Sequence, residues 1–106
     1  MGRAGQDRWF VYVLSCGDGS LYVGIAKDVD ARLEAHASGK GARYTRGRGP
    51  LRVAARCLCL SKGRALRVEY ALKQLSKRQK EQLVSLPNSE GLRMFVRRLR
   101  APRVVP

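Results

Sequence analysis

Two apolar runs separated by a short polar turn constrain this chain more than any other feature. Trp9 to Leu14 is continuously apolar and rich in aromatic and β-branched residues, the pattern of a strand covered on both faces. Cys16-Gly17-Asp18-Gly19-Ser20 follows, and its Asp-Gly pair is a strong hairpin signal. Leu21 to Ile25 is the return strand. If the turn centres on residues 17–18, Tyr12 and Tyr22 share one sheet face, directly opposite or on a diagonal. Gly24 lies on that face too, and a glycine inside a strand marks a place where something approaches the backbone. The hairpin thus offers two phenols beside a gap, or simply two tyrosines packed in a core.

The elements after the hairpin can be read from their caps and periodicity. Asp28 is a good N-cap for a helix that carries Val29, Leu33 and Ala37 on one side and ends near Gly39. Arg32 and His36, four apart, are expected on a different face of that helix. Residues 39–50 form a glycine-rich basic loop, and Leu51 to Leu60 is the third strand. Ser61 caps a second helix over Lys62 to Leu75, and a third runs from Lys77 to Ser85 beyond a break near Ser76. Pro87-Asn88 reads as a turn. Glu90 to Arg100 is a weaker helical pattern carrying Leu92, Phe95, Val96 and Leu99, and residues 1–7 and Ala101–Pro106 read as tails. The order predicts an α+β fold: a small three-stranded antiparallel sheet flanked by helices. At 106 residues one domain is expected, with a core over about 8–85 and a C-terminal helix and tail over about 88–106.

Charge narrows the partner. Lys and Arg total 22 against 8 acids, for a net +14, and Ala35 to Val68 contains no Asp or Glu. That stretch holds Lys40, Arg43, Arg46, Arg48, Arg52, Arg56, Lys62, Arg64 and Arg67. Positive charge this unbalanced repels itself, which points to a polyanion, nucleic acid first. Tyr44, within Arg43-Tyr44-Thr45-Arg46, sets a stacking surface among phosphate-seeking cations. Cys16, Cys57 and Cys59 have neither zinc-knuckle nor redox-pair spacing and read as reduced thiols of a cytoplasmic protein. No apolar run is long enough for a membrane span.

Glu69 is the anomaly. It falls in or at the edge of the Ala65–Val68–Leu72–Leu75 stripe and is the only acid between Glu34 and Glu81. A carboxylate there costs on the order of several kcal/mol unless it is paired or binds a cation. Two readings are open: a salt bridge to Arg64, Arg67 or Lys73, or a ligand for Mg²⁺, which accepts one or two carboxylates plus water and phosphate.

Phe10-Val11-Tyr12 and Tyr22-Val23-Gly24, followed by Arg32, His36 and Glu69 in that order, resemble the signature of the GIY-YIG (URI) nucleases. The likeness covers roughly residues 8–85 and is greatest to small stand-alone bacterial members, with Ser38-Gly39-Lys40-Gly41-Ala42 and the 73–80 stretch in support. The first motif lacks the leading Gly and Ile, and Lys73 and Lys77 stand where several larger relatives carry an Asn. The resemblance implies a metal-dependent endonuclease acting on DNA, single-stranded or branched DNA included, in repair or processing, with Mg²⁺ or Mn²⁺ held by Glu69. It assigns Tyr12 to water activation, with His36 as the rival base, Tyr22 to the same hydrogen-bond network and Arg32 to charge stabilisation. Lys27, Lys40, Arg43, Tyr44, Arg46, Arg48 and Lys73 are the expected nucleic-acid contacts. The alternatives are a non-catalytic DNA- or RNA-binding module on the same fold and a ribosome- or RNA-associated basic protein.

Overall fold

The computed structural model describes residues 8–100, so the expected tails at 1–7 and 101–106 lie outside the described residues. Strands β1 (Trp9–Ser15), β2 (Leu21–Ala26) and β3 (Arg52–Cys59) form one antiparallel sheet in the order β2-β1-β3. Helix α1 (Val29–Ala37) precedes a 3-10 turn at Arg43–Thr45, and α2 (Lys62–Lys73), α3 (Lys77–Val84) and α4 (Glu90–Arg100) follow the sheet. This is the expected α+β arrangement.

The hairpin closes as its turn residues require. Gly19 adopts φ +88°, Cys16 N–H donates to Ser20 O at 2.9 Å, and Asp18 accepts from Ser20 N–H and Oγ–H. Ser15 pairs with Leu21, which puts Tyr12 opposite Gly24 and Leu14 opposite Tyr22. The two tyrosines are therefore diagonal neighbours on one face.

The sheet separates two apolar layers. Val11, Val13, Val23, Ala55 and Cys59 meet Ala65, Val68 and Leu72 of α2 and Leu92 and Val96 of α4. On the other face Tyr12, Leu14, Ala26 and Val29 pack with Phe10, Tyr22, Leu33 and Val53. A register shift between Val13 and Leu14, where Val13 pairs with Ala55 but Leu14 with Val53, keeps Val53 and Ala55 on opposite layers.

Helix starts follow their caps: Asp28 accepts from Ala31 N–H, Ser61 from Arg64 N–H, and Ser76 forms a reciprocal capping box with Gln79. The turn expected at Pro87-Asn88 is a 3-10 turn over Pro87–Ser89, with Asn88 and Ser89 at φ 58°. Its Ser89 Oγ accepts from Arg56 N–H at 3.0 Å, so the turn answers a backbone donor of edge strand β3. With Leu92 and Val96 fully inside, α4 is an integral part of the core. Cys16, Cys57 and Cys59 form no disulfide, and no described helix is long and apolar enough to cross a membrane.

Candidate active site

Tyr12 stands at the centre of β1 and is 1% exposed. The gap expected at Gly24 is filled from within the chain. A β-carbon on Gly24 would stand 2.6 Å from the Tyr12 hydroxyl and 2.7 Å from Cζ. Gly24 therefore admits the Tyr12 phenol and not an outside ligand.

Above Tyr12 lies His36, and here the sequence reading needs correction. The buried face of α1 is Val29–Leu33–His36, with Ala37 exposed, so His36 belongs to the apolar side from which spacing had separated it. Only 1% of it is accessible. A third-turn residue at i+7 returns to the stripe of i and i+4, and the polar ring is tolerated there because both nitrogens are hydrogen-bonded. Nε2 is 3.1 Å from Tyr12 Oη, Nδ1 is 2.9 Å from Thr45 Oγ1, and Ala42 N–H donates to Nδ1 at 3.1 Å. Tyr22 adds an edge contact, its ring centroid 5.1 Å from that of His36.

Arg32, exposed one turn earlier on α1, projects its charge onto both groups. Burial pushes the His36 imidazole below its ordinary range and Arg32 pushes it the same way. For Tyr12, burial pushes the phenol up, a hydrogen bond and charge from Arg32 oppose it, and the charges of Tyr22 and Glu69 reinforce it. The net direction is up. Desolvation outweighs the favourable hydrogen bond and charge of Arg32.

Glu69 lies at the edge of the α2 stripe, as expected, with 18% of its side chain accessible and Lys73 Nζ 3.3 Å from Oε2. Its influence on Tyr12 crosses from α2 to β1, so the carboxylate and phenol belong to one electrostatic neighbourhood. No cluster of three or more His, Cys, Asp or Glu side chains exists among the described residues. A single carboxylate suits a hard cation such as Mg²⁺, which retains waters and takes phosphate oxygens, and does not suit structural zinc.

The expected nucleic-acid contacts divide by their surroundings. Tyr44 lies with its ring centroid 5.7 Å from that of Tyr22, while the Arg48 guanidinium sits 4.4 Å over Tyr44 and pairs with Asp18 at 2.6 Å. Arg48 thus holds the loop to the hairpin turn, as does Gly17 N–H donating to Arg48 O at 2.6 Å. Arg46 Nε–H donates to Gly39 O at 3.2 Å within the loop, and Lys73 pairs with Glu69. Lys27 is 5.5 Å from the Trp9 ring centroid, with Lys62 at 5.2 Å. Lys40 and Arg43 are exposed and make no ion pair among the described residues. Arg56 also leaves the unbalanced set, pairing with Asp30 at 3.1 Å.

Two site residues escaped the sequence reading. Thr45, 2% exposed, contacts His36, and Gly41 lies so close to the imidazole and to the backbone of His36 that a β-carbon has no room. The signal for both is the loop's Gly-Ala-Arg-Tyr-Thr string, whose composition points to nucleic-acid contact and not to support of His36. A cavity of about 420 Å³ lies in the other layer, between Cys59, Arg64, Arg67 and Val96, apart from Tyr12 and His36.

Tyrosines on adjacent strands, a histidine and an arginine on the next helix and a glutamate on α2 define a class. The GIY-YIG catalytic domain family matches residues 8–82. The chain belongs to the GIY-YIG nuclease family. Among its relatives, UPF0213 protein BH0048 of Halalkalibacterium halodurans is 60% identical over 77 residues, 73% of this chain and 82% of the relative. UPF0213 protein YhbQ of Escherichia coli O139:H28 is 43% identical over 96 residues, 91% of this chain and 94% of the relative. The solution NMR structure of BH0048 is similar with a TM-score of 0.50 at 49% identity, over 90% of this chain and 99% of that one. That of EF2693 from E. faecalis is similar with a TM-score of 0.53 at 32% identity, over 93% of this chain and 95% of that one.

Proposed function

We propose that this protein is a metal-dependent endonuclease that hydrolyses DNA phosphodiester bonds, and that it acts in DNA repair or processing in the cytoplasm. The observation that carries the reading is the Tyr12–His36 pair at 3.1 Å with Arg32 and Glu69 acting on the same phenol. These groups lie on three different elements, β1, α1 and α2, and the Glu69–Lys73 salt bridge or a core contact alone does not account for their convergence.

In this reading Tyr12, as the phenolate, accepts a proton from the attacking water. The water oxygen forms a bond to phosphorus as the opposite phosphorus–oxygen bond breaks, and the departing oxygen takes a proton from solvent. Arg32 holds the negative charge that builds on the phosphate oxygens. Tyr22 steadies the arrangement through its contacts with Tyr12 and His36. Glu69 would hold a divalent ion, Mg²⁺ or Mn²⁺, which when bound would supply positive charge for the phosphate. Lys73, paired with Glu69 in this structure, would be released by that exchange and would be available to a phosphate. Lys40 and Arg43 provide the exposed phosphate contacts, with Tyr44 as the aromatic surface beside them. Lys27, Arg46 and Arg48 hold the surrounding loop and strand end and add to the positive field.

A second reading is a non-catalytic DNA- or RNA-binding module. The Glu69–Lys73 ion pair favours it, because it satisfies the carboxylate without a metal. Purified protein incubated with single-stranded, duplex and branched DNA, with Mg²⁺ or Mn²⁺ and with EDTA, separates the two. Metal-dependent products on any substrate support the nuclease; binding to all of them with no product supports the module.

A further inference from the structure

The 39–50 loop does more than carry charge. Of the two protons that define the His36–Tyr12 contact, one can be placed from the backbone. A backbone amide can only donate, and its hydrogen cannot be turned away by rotation. Ala42 N–H points at His36 Nδ1 at 3.1 Å, so Nδ1 is an acceptor. Burial and Arg32 both disfavour the imidazolium, which leaves a single ring proton to assign. With Nδ1 accepting, that proton is on Nε2, facing Tyr12 Oη.

The opposite arrangement has the chain Nδ1–H to Thr45 Oγ1 to Ala42 O, with both links at 2.9 Å. It would set the Ala42 amide hydrogen against a protonated nitrogen. Refusing it gives up one bond, that from the Thr45 hydroxyl to Ala42 O. Ala42 O already accepts from Thr45 N–H at 3.1 Å, and the Thr45 hydroxyl can rotate toward Nδ1. The loop is held against the ring closely enough to enforce this choice, since Gly41 has no space for a β-carbon beside Nδ1 and Cγ.

We infer that the Ala42 amide, with Thr45 beside it, locks His36 in the tautomer protonated at Nε2, so that His36 is a positioning donor to Tyr12 Oη and not an acceptor of its proton. This deepens the nuclease reading and rests on it for the role of Tyr12: an N–H donor aimed at the phenol oxygen steadies the phenolate and leaves Tyr12 as the base. The loop expected to touch substrate thereby holds the reacting groups in register.

The test needs no substrate. His36 is the sole histidine of the chain, so a long-range proton–nitrogen spectrum of uniformly ¹⁵N-labelled, tag-free protein at neutral pH reads one imidazole. The expected spectrum has a protonated Nε2 and an unprotonated Nδ1, with a coupling across the hydrogen bond to the Ala42 amide nitrogen. A protonated Nδ1 overturns the inference. Thr45→Val is the second measurement. Retention of the Nε2–H tautomer supports the amide as the lock; a switch to Nδ1–H or to a mixture contradicts it. Because the spectrum is read on resting protein, a chain that fails to cleave DNA but shows the Nε2–H tautomer disproves the nuclease and leaves the lock intact.

Discussion

At the scale of single residues, opposing influences decide which group is the base. Burial raises the Tyr12 phenol while burial and Arg32 lower the His36 imidazole, so the two move apart. A His36 base, lowered from its ordinary value of about 6.5, would be fully available through neutral pH and give a rate flat above it. A Tyr12 base gives a cleavage rate that keeps rising with pH through 7 to 9, about tenfold per pH unit while chemistry limits. Single-turnover cleavage across that range distinguishes them, and a plateau from pH 7 upward contradicts Tyr12. Replacing Tyr12 by Phe keeps the ring over Gly24 but leaves buried His36 Nε2 without its partner, so a loss on the order of 10²–10⁴-fold in rate is expected together with a stability loss of about 1–3 kcal/mol in thermal melts.

His36 also links folding to pH. Its folded-state pKa is depressed, so below about 6.5 the unfolded chain binds the proton that the folded chain refuses. The stabilisation is fully present above the unfolded value and is lost as pH falls from there through the lower folded value. Thermal unfolding followed from pH 7.5 to 5.5 is expected to show a falling Tm, with the decline largely absent in His36→Gln. A Tm independent of pH in the wild-type chain would show that the imidazole is not held neutral.

Among elements, the hairpin and the loop that docks on it meet at backbone-tight positions. Ala at Gly24 would drive the Tyr12 phenol out of its seat, an overpacking cost of about 1–3 kcal/mol. Gly41→Ala presses on the His36 backbone and ring and is expected to shift the loop away. Denaturant melts should record a loss of that order for both variants, with the Tyr12–His36 contact weakened in the His36 ring signals.

These elements also mark how far the sequence could be read. Both strands of the hairpin, the caps Asp28 and Ser61, the helix break near Ser76 and the shared face of Tyr12 and Tyr22 follow from local preference and period. Period alone allows His36 on the buried face, at i+7 from Val29, but the partners that satisfy its ring there, Thr45 and Ala42, arrive from a loop that has no period at all. The filling of the space at Gly24 depends on register, which places Tyr12 opposite it and not beside it. Arg48 and Arg56 looked unbalanced along the chain because their acids, Asp18 and Asp30, are 30 and 26 positions away.

For the whole molecule, the governing quantity is the net charge of +14. A protein that neutralises phosphates releases counterions, so its affinity for duplex DNA falls with a log–log salt slope of about 0.9 per contact. Lys40 and Arg43 are exposed and outside any ion pair among the described residues, so removing both should weaken binding to all sequences alike. The slope should fall by roughly 2, whereas neutralising Arg48, already paired with Asp18, should change it less. Fluorescence anisotropy over a salt series measures both, and equal slopes for Arg48→Ala and Lys40→Ala would refute the distinction.

The nuclease reading itself turns on Glu69, whose carboxylate must exchange Lys73 for a divalent ion. The most direct measurement compares wild-type protein with Glu69→Gln on the same DNA, scoring cleavage in Mg²⁺ or Mn²⁺ and binding in EDTA. Cleavage by the wild-type chain that falls at least 10²-fold in the variant, with binding retained, is the predicted result, on the order of the transition-state charge stabilisation a metal supplies. Equal cleavage by the two proteins, or none by either on any substrate, would contradict it.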